Sequence, residues 1–247
     1  MSPLTWMPIL MYHRIVEREP VFDPDGVCTS VDRLAEHLDW LAEHDFAGVP
    51  LELACRGAQP GEGRRFAITF DDGYAETLDL AFPVLEARSL PAIVFVVSGL
   101  VGGRATWNAE PQRLLSRSEV LELDAAGIFI GSHSRSHARL SSLGNDAIKD
   151  EVRGSRQELE DLLGRQVRFF AYPHHDRDER VVTEVENAGY VGAAGGRDGS
   201  HERYNLHRID AGRMSTRQLA LHVSGMHRWA RRQPLARVVR NLAVRLA

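Results

Sequence analysis

Short apolar runs alternate with amphipathic stretches along most of the chain. Runs rich in branched and aromatic residues predict strands, and they read "PILMYH", "FAITF", "PAIVFVVSG", "IFIGSH", "VRFFAYP" and "YVGAAGG". The stretches between them have the apolar spacing of helices, and they read "VDRLAEHLDWLAEHDFAGV", "AETLDLAFPVLEARSL", "RSEVLELDAAG", "NDAIKDEVRGSRQELEDLLG" and "DERVVTEVENAG". Strands that alternate with helices predict a parallel sheet or barrel whose helices lie outside.

The bulk composition is that of one large globular domain. The chain has 247 residues, of which 43% are hydrophobic and 26% are charged. No apolar run reaches the roughly 20 residues that cross a bilayer, and the first residues lack the features of a signal peptide. Without a secretion signal, Cys28 and Cys55 are expected to be ordinary thiols. We therefore expect a cytoplasmic protein.

Polar residues cluster just past the carboxyl ends of four predicted strands. The clusters are Tyr12 and His13, Asp71 and Asp72, His133 and His137, and Pro173, His174 and His175. In a barrel of parallel strands these ends meet at one rim, where active sites form. The sequence therefore predicts one site built from all four clusters.

The histidine and aspartate pairs have metal-binding chemistry. His133 and His137 are four residues apart, so on a helical turn they would share a face and reach one ion. One carboxylate of "DDG" would complete the ligand set, and the other would stay free to accept a proton from water. Taken alone, each pattern has a plainer explanation, either surface histidines or an Asp-Asp-Gly turn. Two further histidines, His37 and His44, lie on the first amphipathic helix and are expected to be solvated.

The motifs "TFDDGY", "GSHSRSH" and "FFAYPHH", in this order, resemble those of the polysaccharide deacetylase family (the chitooligosaccharide-deacetylase homology domain), in its branch with a Phe-Ala-Tyr-Pro third motif. The resemblance extends from about Pro8 to Met214. It implies a distorted (β/α) barrel of about seven parallel strands, and a metal-dependent hydrolase that removes acetyl groups from sugars.

The resemblance also implies roles for the residues of the first two motifs. Asp71 becomes the catalytic base. One divalent ion, expected to be zinc with cobalt and nickel as alternatives, is held by Asp72, His133 and His137.

The third motif departs from the family pattern at two places. Ala171 stands where the family has an arginine that tethers the catalytic aspartate, and Arg208, in "LHRID", is our candidate replacement. His174 and His175 stand where this branch has Tyr-Gly, which changes the wall of the groove. The backbone N–H of His174, which follows Pro173, can still help to hold the oxyanion.

The resemblance leaves the general acid and the groove lining less defined. His13 matches an early Tyr-His of this branch and is expected to protonate the leaving amine, with His222, in "LALH", as the alternative. Tyr74 is expected to line the groove. Tyr172 and Trp107 are candidates to stack on a sugar ring, and core packing is an equal alternative for Trp107.

The end of the chain is basic. Eight arginines and no acidic residue follow residue 210, although the whole chain has a net charge of −4. We divide the chain into a barrel, residues 1–214, and a basic helical extension, residues 215–247, packed on the same domain. The apolar stripe of "PLARVVRNLAVRLA" would suit an anionic membrane surface or a protein partner. Alternatively, the stripe packs against the barrel and its arginines are solvated.

We expect a metal-dependent hydrolase that removes an N-acetyl or other N-acyl group from an amino-sugar-containing saccharide. An oligosaccharide, or a lipid-linked saccharide at the inner membrane face, suits a protein without a signal peptide, and no nucleic-acid partner is expected. Two alternatives stay open: a carbohydrate-binding barrel with little or no catalysis, and a deformylase or amidase that acts on a lipid-linked or small-molecule amide. Binding alone would not require the complete set Asp71, Asp72, His133 and His137.

Overall fold

The computed structural model of the protein describes residues 7–56, 63–196, 199–200 and 202–224. The strands in these ranges are β1 Ile9–Tyr12, β2 Arg14–Val16, β3 Cys28–Ser30, β4 Phe46–Gly48, β5 Arg64–Phe70, β6 Ile93–Val96, β7 Arg104–Ala105, β8 Gln112–Arg113, β9 Phe129–Ser132, β10 Phe169–Ala171, β11 Gly192–Ala194 and β12 Ile209–Asp210. The α-helices are α1 Val31–Glu43, α2 Phe82–Glu86, α3 Arg117–Ala125, α4 Asn145–Lys149, α5 Ser155–Leu163, α6 Glu179–Asn187 and α7 Thr216–Val223.

One large parallel sheet forms the centre of the molecule. Seven of its strands lie side by side in the order β11-β10-β9-β6-β5-β1-β12, and β4 pairs with the first half of β5. Every neighbouring pair in this sheet is parallel. The sheet curls into a half-barrel whose outer face packs against the helices. The predicted barrel of about seven parallel strands is therefore confirmed.

The register of the sheet aligns the carboxyl ends of its central strands. Tyr12 lies opposite Phe70, Val96 lies opposite Ser132, and Ser132 lies opposite Phe170. The residues that follow these positions therefore leave the sheet at one rim, as in other parallel barrels.

Alternation along the strands divides the core into two layers. Outward side chains such as Leu10, Ile68 and Val94 form one buried cluster with apolar residues of the helices. Inward side chains form a smaller cluster inside the half-barrel, which includes Ile9, Ala67, Ile93, Phe95 and Phe169. Because side chains alternate, Asp71 continues the inward series that contains Ala67 and Thr69.

Three predicted helices differ in detail from the structure. The stretch from Asn145 to Leu163 is one helical rod in which a π-helical turn, Asp150–Gly154, joins α4 to α5. Another π-helical turn, Thr77–Ala81, precedes α2. The first predicted helix was too long, since α1 ends at Glu43 and the residues after it form β4. The sequence also gave no indication of β12 or of the pairs β2–β3 and β7–β8, because two or three residues are too few to show alternation.

His37 is fully buried, so the expectation that it is solvated is wrong. Its Nδ1 lies 2.9 Å from the hydroxyl of Tyr12, and its Nε2 lies 3.0 Å from the carbonyl oxygen of Met214. Because a carbonyl can only accept, Nε2 carries the proton and Nδ1 accepts from Tyr12. Burial lowers the pKa of His37 to about 4, so a neutral imidazole joins the sheet, α1 and the segment before α7. His44, in contrast, is exposed.

The last described helix, α7, packs against α1. Its first turn is closed by reciprocal hydrogen bonds between Ser215 and Gln218. The basic segment that follows, residues 225–247, lies outside the described residues, so its docking and the boundary after residue 214 stay predictions. None of the helices in the described ranges combines the length and the apolar character that crossing a membrane requires.

Candidate metal centre and active site

The two neighbouring aspartates lie where β5 ends in a left-handed turn. The N–H of Asp71 still donates to the carbonyl oxygen of Tyr12, at 2.9 Å, so Asp71 continues the sheet. Asp72 and Gly73 then have φ angles of 72° and 74°, a conformation that is unfavourable for a residue with a side chain. A Cβ on Gly73 would lie 3.4 Å from Cα of Val96. The turn directs the two carboxylates to different partners.

Asp72 faces two imidazoles. Its Oδ1 lies 3.2 Å from Nε2 of His133 and 3.1 Å from Nε2 of His137. All three side chains are buried, and their ligand atoms lie within 4.8 Å of one another. Tetrahedral zinc with bonds of about 2.0–2.1 Å places neighbouring ligand atoms about 3.3 Å apart. Both the spacing and the donor set, one carboxylate and two imidazoles, therefore fit a divalent ion.

His133 and His137 lie on a loop, not on the helical turn expected from their spacing. Ser134 and His137 have φ angles of 62° and 63°, so the backbone is left-handed at both residues and cannot continue a helical turn. The carboxylate of Glu151 accepts hydrogen bonds from two amides inside this loop, both at 2.9 Å, and Ser134 Oγ accepts from the amide of His137. Both imidazoles reach Asp72 from this loop.

The two imidazoles are held in different ways. Nδ1 of His133 lies 2.8 Å from the carbonyl oxygen of Ala171, so it donates there and leaves the lone pair of Nε2 for an ion. Nδ1 of His137 is buried and has no hydrogen-bond partner among the described residues. Its ring instead stacks on Trp107, with centroids 3.8 Å apart and planes at 19°, and the ring of His174 lies edge-on at 4.5 Å.

Asp71 faces a guanidinium. Arg208 donates from Nη1 to Oδ1 and from Nη2 to Oδ2, both at 2.6 Å. Arg208 also donates from Nε to the carbonyl oxygen of Gly195 and from Nη1 to Oγ1 of Thr69. The exposed fractions of Arg208 and Asp71 are 0% and 1%. The contact that we expected to compensate for Ala171 is therefore present, and its arginine lies directly before β12.

Each aspartate has its own reason to remain an anion at neutral pH. Burial alone would raise both pKa values. For Asp71 the nearby Arg208 and His133 outweigh burial and lower the pKa to about 2. For Asp72 the hydrogen bonds with His133 and His137 hold the pKa well below its usual range. Two adjacent like charges persist because each one has a partner that stabilises its charged form.

His13, and not His222, is placed beside the aspartate pair. Nε2 of His13 lies 4.0 Å from Oδ2 of Asp71, and the side chain of His13 is 21% exposed. His222 lies on α7, in the outer layer, and its Nδ1 contacts the carbonyl oxygen of Gln218 in the same helix.

The residues predicted to line the groove are not all at the site. Tyr74 is fully buried, its hydroxyl donates to Asn108 at 2.6 Å, and burial together with the charge of Asp72 raises its pKa. Trp107 is partly exposed and stacks on His137. Tyr172 lies in the outer layer, fully buried, with its hydroxyl donating to a backbone carbonyl. In this position Tyr172 cannot stack on a sugar, because its extended backbone continues the alternation of β10 and, one step from the inward Ala171, its side chain points to the other face.

The third motif forms a tight turn after β10. Pro173 is buried, and the two residues after it have positive φ angles, 55° at His174 and 57° at His175. Glycine adopts such a conformation without strain, which explains the glycine that this branch has at the second position. The amides of His175 and Asp176 close the turn by donating to the carbonyls of Tyr172 and Pro173.

Several supporting groups of the site had no signal in the sequence. Backbone carbonyls hold His133 and Arg208, and any residue type can supply a carbonyl. Glu151 and Asn108 look like ordinary polar residues of a helix and a loop. Only the fold shows that they lie beside the histidine loop and Tyr74.

The polysaccharide deacetylase family model matches residues 58–193, more than half of the chain. The chain belongs to the polysaccharide deacetylase family, so the resemblance of its motifs is confirmed. The matched range contains the aspartate pair and the histidine loop, whereas His13 and Arg208 lie outside it. Fold and family together define a carbohydrate deacetylase, which is a hydrolase, and members of this family depend on a metal ion.

Individual relatives agree with this assignment. The polysaccharide deacetylase homologue YxkH of Bacillus subtilis is 26% identical over 211 residues, which cover 82% of this chain and 70% of YxkH. The poly-beta-1,6-N-acetyl-D-glucosamine N-deacetylase of Staphylococcus epidermidis is 26% identical over 187 residues, 67% of this chain and 63% of that protein. The deacetylase PplD of Streptococcus pyogenes, solved in complex with acetate, has the same fold, with a TM-score of 0.71 at 21% identity over 87% of this chain and 96% of PplD.

Proposed function

We propose that this protein removes the N-acetyl group of an amino-sugar-containing saccharide, with Asp72, His133 and His137 holding one zinc ion. The proposal rests on one observation: the two neighbouring carboxylates face different partners. Asp72 faces two imidazoles whose Nε2 atoms lie 3.1–3.2 Å away, and Asp71 faces a guanidinium and lies 4.0 Å from His13.

A divalent ion held by Asp72, His133 and His137 would supply Lewis-acid chemistry, by acidifying water and polarising the acyl carbonyl. Two imidazoles and one carboxylate are a common ligand set of catalytic zinc, which keeps its fourth position open for water or substrate. Cobalt and nickel are alternatives that the same ligands accept.

Asp71 acts as the general base. It is an anion at neutral pH, and it adjoins Asp72 on the inward side of the sheet, so it would take the proton of a water activated at the triad. Arg208 occupies one side of its carboxylate, so the proton is taken on the lone pairs that remain. Positioned proton transfer of this kind contributes roughly 10²–10⁴-fold in rate.

His13 acts as the general acid. Attack of water on the carbonyl carbon and cleavage of the carbon–nitrogen bond leave an amine that needs a proton. Protonated His13 gives that proton from Nε2, and acetate leaves as the other product. Its partial exposure, 21%, allows it to exchange protons with solvent between turnovers.

The backbone N–H of His174 helps to hold the oxyanion. Support comes from the third-motif turn, whose own hydrogen bonds begin at His175 and Asp176, and from the ring of His174, which lies against His137. A preorganised backbone donor at a developing negative charge is worth about 3–4 kcal/mol in comparable sites.

We propose an N-acetylglucosamine-containing oligosaccharide as the substrate, because a relative from Staphylococcus epidermidis is a poly-beta-1,6-N-acetyl-D-glucosamine N-deacetylase. A lipid-linked saccharide, other acyl groups including formyl, the cytoplasmic location and the docking of the basic C-terminal segment stay predictions.

The test combines metal analysis with a substrate screen. Zinc-, cobalt- and nickel-loaded protein is incubated with N-acetylglucosamine oligomers, lipid-linked acetylated saccharides and formylated analogues, and released acetate, formate and free amine are measured. One bound ion per chain together with acetate release supports the proposal. Formate release alone would identify a deformylase, and metal-free protein without release from any acylated sugar would identify a binding barrel.

A further inference from the structure

His175, in the third-motif turn, is in close contact with Gly196. A Cβ built on Gly196 would lie 2.5 Å from Cδ2 and 2.7 Å from Nδ1 of His175, closer than real Cβ atoms approach other atoms. The imidazole therefore occupies the space that a side chain at residue 196 would need. Nδ1 is buried and has no hydrogen-bond partner among the described residues, so packing against Gly196 holds this side of the ring.

The backbone beside this contact holds Arg208. Nε of Arg208 donates to the carbonyl oxygen of Gly195 at 2.7 Å, and the amide of Arg208 donates to the carbonyl oxygen of Gly196 at 3.2 Å. The other end of the same guanidinium makes the two 2.6 Å hydrogen bonds to Asp71. A shift of the Gly195–Gly196 backbone would therefore move the guanidinium away from Asp71.

We propose that His175 is a positioning residue for catalysis: its ring supports the Gly195–Gly196 backbone, which in turn fixes Arg208 against Asp71. The inference rests on the proposed role of Asp71 as the base. This positioning role explains why a histidine is present at position 175 with a φ angle of 57°, although a glycine would adopt this angle without strain. It also links two departures from the motif pattern, because the chain that lacks an arginine at position 171 has an imidazole at position 175.

A substitution cycle between the two residues tests the proposal. Gly196→Ala should collide with the ring and lower kcat by about tenfold or more, since small misplacements of catalytic groups have large effects. His175→Gly should remove the support and lower kcat about threefold to tenfold. In the double variant the added methyl group has space, so Gly196→Ala should change kcat by less than about twofold relative to His175→Gly. Metal content and KM should stay at their wild-type values throughout.

Gly144→Ala is the matched control. Gly144 has no atom within 4 Å of an ideal Cβ and has a φ angle of −73°, so the same substitution there should leave kcat unchanged. Equal losses from Gly196→Ala with and without His175 would overturn the proposal, as would full activity of the single variant Gly196→Ala or of His175→Gly.

A second measurement separates this proposal from the proposed function. The Nε–H of Arg208 is buried and hydrogen-bonded, so it should give a slowly exchanging signal in a proton–nitrogen correlation spectrum, assigned by its loss in Arg208→Lys. Gly196→Ala should shift or broaden the signal, and the double variant should restore it. An unchanged signal in Gly196→Ala would overturn the positioning role even in an active enzyme. If the wild-type protein has no deacetylase activity but the Arg208 signal shifts in Gly196→Ala, the result would support the positioning role and contradict only the proposed function.

Discussion

Asp71 and Asp72 are neighbours in the sequence, yet their surroundings are nearly opposite. Asp72 receives two imidazole nitrogens, which are neutral when they bind a metal, and it has the strained backbone of the turn. Asp71 continues the hydrogen bonding of the sheet and receives a guanidinium that carries a permanent charge. Under the proposed function, this difference lets one dipeptide perform two tasks: neutral donors leave a negative charge available to a cation, whereas a fixed cation keeps the second carboxylate ionised inside the protein.

The partners also come from different parts of the chain. The imidazoles of Asp72 follow β9, within the range that the family model matches. Arg208 and His13 adjoin β12 and β1, which pair with each other outside that range. The three candidate metal ligands thus all come from the middle of the chain, whereas the partners of Asp71 come from the two sides of that range.

Asparagine at each aspartate gives the largest expected effects and tests the division of tasks directly. Asp71→Asn should keep the metal and lose turnover by a factor near the upper end of the roughly 10²–10⁴-fold range of general-base catalysis. Asp72→Asn should lose the metal, with an affinity decrease larger than the roughly 10–100-fold that loss of an outer partner causes. Asparagine tolerates a positive φ, so Asp72→Asn should not disturb the turn. Metal analysis and acetate release measure both outcomes. Loss of the metal in Asp71→Asn would show that the two aspartates do not have separate tasks.

The next largest effect concerns the proton donor. His13→Gln should lower kcat by about 10²–10³-fold, because the leaving amine then departs without a positioned proton. His222→Gln is the matched control and should retain wild-type kcat. Activity assays with an amide substrate decide between them, and the reverse pattern would transfer the role of the acid to His222.

The tether of Asp71 should affect stability as well as rate. Arg208→Met leaves a fully buried carboxylate without its counter-ion, which typically destabilises a protein by about 3–5 kcal/mol. Adding Asp71→Asn removes that charge, so the double variant should be more stable than Arg208→Met alone. Urea unfolding of the four proteins measures the coupling. Strictly additive losses would mean that the pair contributes no specific interaction.

A smaller effect should follow from the stacking that orients His137. Trp107→Ala removes the ring on which this ligand lies and should weaken metal binding by roughly 10–100-fold, as loss of other outer partners does. Trp107→Phe keeps an aromatic face and should stay within about threefold of the wild type. Competition with a chromophoric chelator gives both values. Equal affinities for the two variants would show that the stacking does not position His137.

The smallest expected effect concerns His37, which lies away from Asp71 and Asp72. Its titration changes the stability of the protein with pH, and this change affects how a pH profile of the two aspartates is interpreted. The pKa of His37 is about 4 in the folded protein and 6.5 as its reference value, so the unfolded chain binds more protons between these pH values. The free energy of unfolding should therefore fall by at most about 3 kcal/mol as the pH drops from about 6.5 to 4, with no further loss from this group below that pH.

His37→Gln separates this effect from other titrations. A glutamine can accept from Tyr12 and donate to the carbonyl of Met214, but it does not titrate. Its free energy of unfolding, measured with urea at pH 7 and pH 4.5, should fall less than that of the wild type. The same slope in both proteins would show that His37 does not contribute to the pH dependence.

The parallel barrel and its functional rim could be predicted because their signals are local, whereas the order of the strands in the sheet came only from the structure. Runs rich in apolar residues indicated six of the seven central strands, and polar residues at the ends of four of these strands indicated the rim. The seventh strand, β12, has two residues, which no periodicity detects. His37 was misjudged because one polar residue on a helix gives no information about which neighbours cover it.

Contacts inside the site were predictable only where a side chain has a recognisable partner. The spacing of the histidines predicted that both reach one ion, but the reason given, a helical turn, was wrong. The pairing of Arg208 with Asp71 was expected because a charge was missing at position 171. These groups are held by the carbonyls of Ala171 and Gly195 and by the contact between His175 and Gly196. Such contacts form only when distant segments of the backbone fold together. The type of a single residue does not indicate which segments will meet.

The pairing of β1 with β12 has a consequence for synthesis. Asp71 and Arg208 are 137 residues apart in the chain, so at roughly 5–20 residues per second the ribosome releases the aspartate many seconds before its counter-ion. During that interval the carboxylate has to remain hydrated, since enclosing an uncompensated charge is costly. We therefore expect the nascent chain to exclude water from its interior only when β12, which follows Arg208, pairs with β1. This edge of the sheet should then be the last part of the molecule to fold.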